Sequence, residues 1–120
     1  LKIHHLALRV EDPERSASFY AGVLGLLELR RFPAADVTAS IWLAAGDAVL
    51  MLERALRGAG PEQGSGHLLA LQVDDLAVWE ARLLAAGVAI DDRTAFTLYV
   101  RDPDGHRVGL STYPVPGERA

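Results

Sequence analysis

Cysteine is absent from the 120 residues, which removes disulfides, thiolate metal sites and a cysteine nucleophile together. That absence fits a reducing compartment, and cytoplasm is the expected location. Basic charge is scarce too: 12 Lys and Arg stand against 16 Asp and Glu, for a formal net charge of −4. Spread along the chain, this balance leaves no footprint for nucleic acid or an anionic membrane, so neither is expected as a partner. Aromatic residues make up only 7%, and they are not interleaved with arginines as a base-stacking surface would need. No apolar run approaches the ~20 residues required to cross a bilayer, and the first residues show no signal-peptide pattern. Two glycine devices are missing as well. Gly58-Ala59-Gly60 does not sit at a strand-to-helix turn, where a phosphate-cradling loop belongs, and Gly64-Ser65-Gly66 lacks the context of a nucleophile elbow.

What is present is hydrophobic residue, half of the chain, enough for one domain with a real core. There is also an internal repeat. His4-His5-Leu6-Ala7-Leu8-Arg9-Val10-Glu11-Asp12-Pro13 is echoed by His67-Leu68-Leu69-Ala70-Leu71-Gln72-Val73-Asp74-Asp75. With the valines aligned, each copy alternates like a strand and ends on an acidic residue suited to capping a helix. Leu6, Leu8 and Val10 share one face; His5, Ala7 and Arg9 share the other. In the second copy, Leu69, Leu71 and Val73 oppose Leu68, Ala70 and Gln72.

Asp12 and Pro13 then read as N-cap and first helical residue, and Ala17, Tyr20, Ala21 and Leu24 recur at helical spacing before Gly25. Leu26 to Phe32 predicts a strand, interrupted by Pro33-Ala34-Ala35-Asp36. Val37 to Ala44 and Ala48 to Glu53 predict a hairpin turning at Ala45-Gly46-Asp47. Arg54 to Gly66, with four glycines and a proline, reads as a linker. Asp75 caps a second predicted helix with the stripe Leu76, Trp79, Leu83 and Ala86. A short strand is expected near Val88 to Ile90, with a polar break at Asp91-Asp92-Arg93. Thr97 to Val100, the turn Asp102-Pro103-Asp104-Gly105 and His106 to Tyr113 make a final hairpin. Pro114, Pro116 and Gly117 end regular structure.

These pieces resemble the vicinal oxygen chelate superfamily of glyoxalase I, bleomycin resistance proteins, fosfomycin resistance proteins and extradiol dioxygenases. The likeness rests on His5-Leu6-Ala7-Leu8-Arg9-Val10, Ser18-Phe19-Tyr20-Ala21-Gly22-Val23-Leu24-Gly25, Val73-Asp74-Asp75-Leu76 and Arg101-Asp102-Pro103-Asp104-Gly105-His106-Arg107-Val108. It implies an α+β fold in which two βαβββ modules form curved mixed sheets around a concave pocket, with helices on the outer face. On that reading residues 1–120 are a single domain: module 1 about 1–53, linker about 54–66, module 2 about 67–113 and tail 114–120. The resemblance also implies a homodimer, because single-domain members commonly build pockets across two chains.

In the metal enzymes of that family, facing strands supply His and Glu ligands to one divalent ion. The matching positions here are His5, Met51, Leu68 and Gly109, so one of the four holds a ligand. His67 falls one residue early, which turns it to the opposite face of its strand unless a bulge re-aims it. Glu53, one pleat beyond Met51, either reaches inward, caps the end of the hairpin or pairs with Arg54 or Arg57 in solvent. His4 and His106 read as structural or solvated.

Strand parity places His5, Arg9, Met51, Glu53, Gln72 and Arg107 on the pocket faces; Trp42 and Tyr99, whose parity the sequence leaves open, complete the candidate substrate-binding residues. Trp42 and Tyr99 either stack on a planar ligand or pack in the core. Arg9 and Arg107 either contact a ligand or pair with Glu53 or Glu28. No catalytic residue is assigned. The expected function is small-molecule binding without a full metal site or other cofactor. The alternative is a divalent-metal-dependent lyase, isomerase or dioxygenase with a shifted ligand set: His5, Glu53 and His67. There the ion acts as a Lewis acid on two neighbouring substrate oxygens.

Overall fold

The computed structural model describes residues 2–56 and 66–114. Most of the expected linker, including Arg57, Gly58-Ala59-Gly60 and Gly64-Ser65, lies outside the described residues, as does the tail beyond Pro114. The chain divides into two compact units, Leu1–Pro61 and Glu62–Ala120.

In the first unit the order is β1 (His5–Arg9), α1 (Pro13–Ala17), β2 (Glu28–Ala34), β3 (Val37–Ala45) and β4 (Ala48–Glu53). The sheet order is β1-β4-β3-β2, with β1 parallel to β4 and the other pairs antiparallel. Asp12 caps α1 by accepting from the Glu14 N–H at 3.1 Å. The helix does not run on as α to Leu24: Ser18–Val23 is π-helical, with Leu24 N–H donating to the Phe19 carbonyl at 3.0 Å. Ser18 Oγ donates back to the Glu14 carbonyl at 3.1 Å, and such back-bonding loosens an α ladder. Gly25 ends the segment at φ 85°, the left-handed conformation a helix terminator needs.

The core forms where alternation places it. Leu8, Val10, Ile41, Leu43, Leu50 and Leu52 are at most 3% exposed and share a sheet face with the buried Ala17, Phe19, Tyr20 and Leu24 of the helical segment. Burial of each such large side chain stabilises by roughly 1.5–3 kcal/mol. The β3–β4 hairpin turns at Gly46-Asp47, with Gly46 at φ 60° as primed hairpin turns require. Strand β2 continues through Pro33 and Ala34, which were expected to interrupt it. As the sheet's edge strand it tolerates a proline, and the register shifts between Phe32 and Pro33.

The second unit repeats the plan with β5 (Leu69–Gln72), α2 (Leu76–Ala85), β6 (Asp92–Arg93), β7 (Thr97–Arg101) and β8 (Arg107–Ser111), in sheet order β5-β8-β7-β6. Asp75 caps α2 through Ala77 N–H at 2.9 Å and Val78 N–H at 3.3 Å. Of the expected α2 stripe only Leu83 is fully buried; Leu76 and Trp79 are half-buried and Ala86 is exposed. The short strand also falls later than expected, on Asp92–Arg93 instead of Val88–Ile90. Polar residues hold it there by pairing: Asp92 opposite Tyr99, Arg93 opposite Leu98 and bound to Glu80 at 2.9 Å. Both units are thus βαβββ. No described helix is long and apolar enough to cross a membrane.

Candidate functional site

In each unit the face turned away from the core carries the chemistry. In the first, strand register sets the residues in rows. Arg30, Trp42, Met51 and Ala7 lie side by side across β2, β3, β4 and β1. The next row is Phe32, Ser40, Glu53 and Arg9. His5 lies on the other side of the Trp42–Met51 row, opposite Val49. Trp42 therefore shares a face with His5, Arg9, Met51 and Glu53, which settles its parity. Arg30 and Phe32, absent from the sequence-based site, join it. The bulge between Glu28 and Arg30 breaks the alternation from which their side is read.

These side chains touch. The Phe32 and Trp42 rings are 4.9 Å apart at a 56° tilt, and the Arg30 guanidinium stands 4.9 Å from the Phe32 centroid. Trp42 Nε1–H donates to Glu53 Oε1 at 3.4 Å, so Glu53 turns inward. Arg54 does not pair with it: Arg54 bonds the Thr38 and Glu11 carbonyls at 3.1 and 2.7 Å and approaches Asp12 at 3.7 Å. Arg9 donates to the Leu56 carbonyl at 2.6 Å. Ser40, 6% exposed, keeps its hydroxyl buried with no hydrogen-bond partner among the described residues.

In the second unit the corresponding face carries Ala70 and Gln72 of β5, Arg107, Gly109 and Ser111 of β8, and Thr97, Tyr99 and Arg101 of β7. Tyr99 thus lies on the open face and not in the core. Arg107 stacks on it, 4.4 Å from the ring centroid, and reaches Asp92 at 3.7 Å, a partner not expected from sequence; Glu28, one of the two expected partners, is held by Arg31 at 2.6 Å. The Arg107 Nε–H is buried and unpartnered among the described residues. Thr97 Oγ1 and Ser111 Oγ are hydrogen-bonded at 2.8 Å. A Cβ on Gly109 would lie 3.6 Å from Leu68 Cδ1 and 3.7 Å from Ala70 Cβ, so Leu68 sits on this side.

The histidines form two pairs. His4 and His5 are in contact through their Nδ1 atoms at 2.8 Å, and both are exposed. His67 precedes β5 and lies 5.9 Å, ring to ring, from His106. Within the first unit, Glu53 is four residues along β4 from Val49, the partner of His5, which is about 13 Å of strand. Among the described residues no three His, Asp or Glu side chains are grouped to hold an ion. A surface cleft of about 410 Å³ lined by Glu11, Asp12, Glu14, Asp36, Val37, Thr38 and Arg54 lies on the helix side of the first unit. Its polar groups bind one another: Glu14 takes Arg31 and the Thr38 hydroxyl, both at 2.7 Å, so the cleft reads as a clasp between helix and sheet. The Glu28 carboxyl is held below its usual range by hydrogen bonding to Arg31.

Comparison with known proteins gives this geometry a context. The chain resembles the solved structure of TnmS3, an antibiotic-binding protein from Streptomyces sp. CB03234, at 28% identity and a TM-score of 0.74, covering 92% of this chain and 94% of that one. It resembles the trypanothione-dependent glyoxalase I of Leishmania major at 27% identity and a TM-score of 0.69, covering 92% and 86%. The lactoylglutathione lyase of Agrobacterium tumefaciens shares the fold at 21% identity and a TM-score of 0.73, covering 92% of each chain. No curated protein sequence matches. The profile of the glyoxalase/bleomycin resistance protein/dioxygenase superfamily matches residues 2–110, and with its paired βαβββ units the chain belongs to that superfamily.

Proposed function

We propose that this protein binds a small, planar organic molecule on the open faces of its sheets and does so without a resident divalent ion. The observation that carries this reading is the first unit's open face. Trp42, Phe32, Met51 and Ala7 offer ring, thioether and methyl surface, fringed by Arg30, Arg9 and Glu53. Binding sites for small molecules are mostly apolar with a few placed polar groups, and methionine adapts to irregular shapes. The donor set fits a metal poorly. Catalytic ions of this type take about three protein ligands, yet the positions matching the family's ligand set hold one imidazole, a thioether, an isobutyl group and a glycine. The resemblance to an antibiotic-binding protein at 28% identity supports the same reading. We expect the working form to be a homodimer, which light scattering would check.

Calorimetric titration of chelator-treated protein with Ni²⁺, Zn²⁺ and Mn²⁺ should show no stoichiometric uptake, while planar aromatic compounds bind and shift the Trp42 indole N–H resonance. Tight uptake of one ion per chain would remove the metal-free reading. The alternative, a metal-dependent lyase, isomerase or dioxygenase, is favoured by His5 alone, which lies on the open face with Met51. It predicts that His5→Ala abolishes both metal content and turnover.

A further inference from the structure

We propose that the ligand is an anionic arene, a planar aromatic ring bearing a carboxylate, selected over neutral or cationic analogues of the same ring; this rests on the small-molecule reading above. The first observation is how charge is sorted. The chain as a whole is acidic, at −4, but the carboxylates of the first unit collect away from its open face. Glu11, Asp12 and Glu14 belong to the helix and its cap, and Glu14 and Glu28 are bound by Arg31 on the core side of β2, opposite Ile41. Asp36 and Asp47 stand in turns. Among the described strand residues of the open face, Arg9 and Arg30 face a single carboxylate, Glu53, which is hydrogen-bonded to Trp42 and stands opposite Arg9 in register. Arg30 has no carboxylate partner among the described residues.

The second observation is that each unit independently carries the same device: a guanidinium laid over an aromatic ring on the open face. It is Arg30 over Phe32 at 4.9 Å in one and Arg107 over Tyr99 at 4.4 Å in the other. A stacked guanidinium has its fork held in place and its N–H edge free to meet a planar carboxylate, which accepts two parallel hydrogen bonds. At Arg107 the Nη2 end approaches the Asp92 carboxylate at 3.7 Å, while the buried Nε–H has no acceptor among the described residues, and a buried cationic donor left unpaired is costly. The row Arg30–Trp42–Met51–Ala7 spans three inter-strand gaps, about 14 Å. That is long enough for a fused bicycle on Trp42 and Met51 with its carboxylate at the Arg30 end.

Three probes with one ring system test this: 2-naphthoate, 2-naphthylmethanol and 2-naphthylmethylammonium, titrated into the full chain by calorimetry with the Trp42 indole resonance as a position marker. Naphthoate should bind at least tenfold more tightly than the alcohol, the ammonium most weakly. That preference should shrink with added salt while alcohol binding does not. In Arg30→Gln/Arg107→Gln the preference for naphthoate over the alcohol should fall to within about twofold. If the alcohol or the ammonium binds as well as naphthoate, or the double variant keeps the preference, the anionic assignment is wrong and small-molecule binding survives. If none of the three binds at millimolar concentration, both readings fall.

Discussion

Replacing Asp102 by alanine should destabilise the second unit far more than a turn substitution ordinarily does. Asp102 is 4% exposed, and its Oδ1 accepts from the Asp104 N–H at 2.9 Å and the His106 N–H at 2.8 Å. The backbone bonds of the same turn, Asp102 N–H to His106 O and Gly105 N–H to Asp102 O, survive the change. Alanine strands two amide donors, each costing about 1–3 kcal/mol if it stays buried. Pro103 and Gly105 are exposed, so water reaches one side of the turn, and a net loss of about 2–3 kcal/mol is expected. Domains are stable by only about 5–15 kcal/mol, so the loss is severe. Asp102→Asn keeps an acceptor and should lose about 1 kcal/mol. Urea unfolding followed by circular dichroism gives both values, and hydrogen exchange at the Asp104 and His106 amides should quicken in the alanine variant. Alanine within 0.5 kcal/mol of the wild type would refute the reasoning. Because this turn joins the strands bearing Tyr99 and Arg107, ligand affinity should fall with it.

Trp42→Leu should weaken binding of a planar aromatic ligand about two- to tenfold, from the loss of ring stacking, with little change in thermal unfolding; calorimetry reads the first and a melt the second. Ala35 holds φ 53°, so Ala35→Gly should stabilise by about 0.5–1 kcal/mol in denaturant titration, since a side chain is strained there. The Glu28 carboxyl is lowered chiefly by its hydrogen bond to Arg31. A lowered folded-state pKa contributes stability above the unfolded-state value, lost as pH falls through the folded value. The stability gap between wild type and Glu28→Gln should therefore be present at pH 7 and close below about pH 4, as seen by melts across that range. Gly109→Ala should be tolerated, because its Cβ would meet Thr97 Cγ2 at 3.4 Å, ordinary contact at the tight end; a melting temperature within a few degrees of wild type checks this.

Much of this architecture could be read from side-chain parity. Leu8, Val10, Leu50 and Leu52 went to the core and His5, Arg9, Met51 and Glu53 to the open face because a strand alternates strictly when no bulge intervenes. Asp12 and Asp75 marked both helix starts, since a short acceptor before an apolar stripe is what orphan amides need. Reading failed where pairing or packing, and not local preference, decides. Strand β6 is held by cross-strand partners and ion pairs on a stretch that looks like a loop. The π-helical Ser18–Val23 leaves no mark in residue spacing. Arg30 and Phe32 were missed because a bulge lies just upstream. Asp102 was recognised as part of a turn, but nothing in the motif announces that its carboxylate is buried.

In each unit the first strand lies parallel to the last: His5 aligns with Val49, and Leu69 with Val108. A nascent chain therefore carries β1 unmatched until about forty further residues have been made, and the second copy repeats the wait. Closing such a distant pair costs chain entropy before any contact rewards it. The hairpins β3–β4 and β7–β8 close short loops, whereas the strand bearing His5 and Arg9 closes a long one. One position in four of each open-face row, Ala7 in one and Arg9 in the next, thus depends on the pairing that closes the longest loop of its unit.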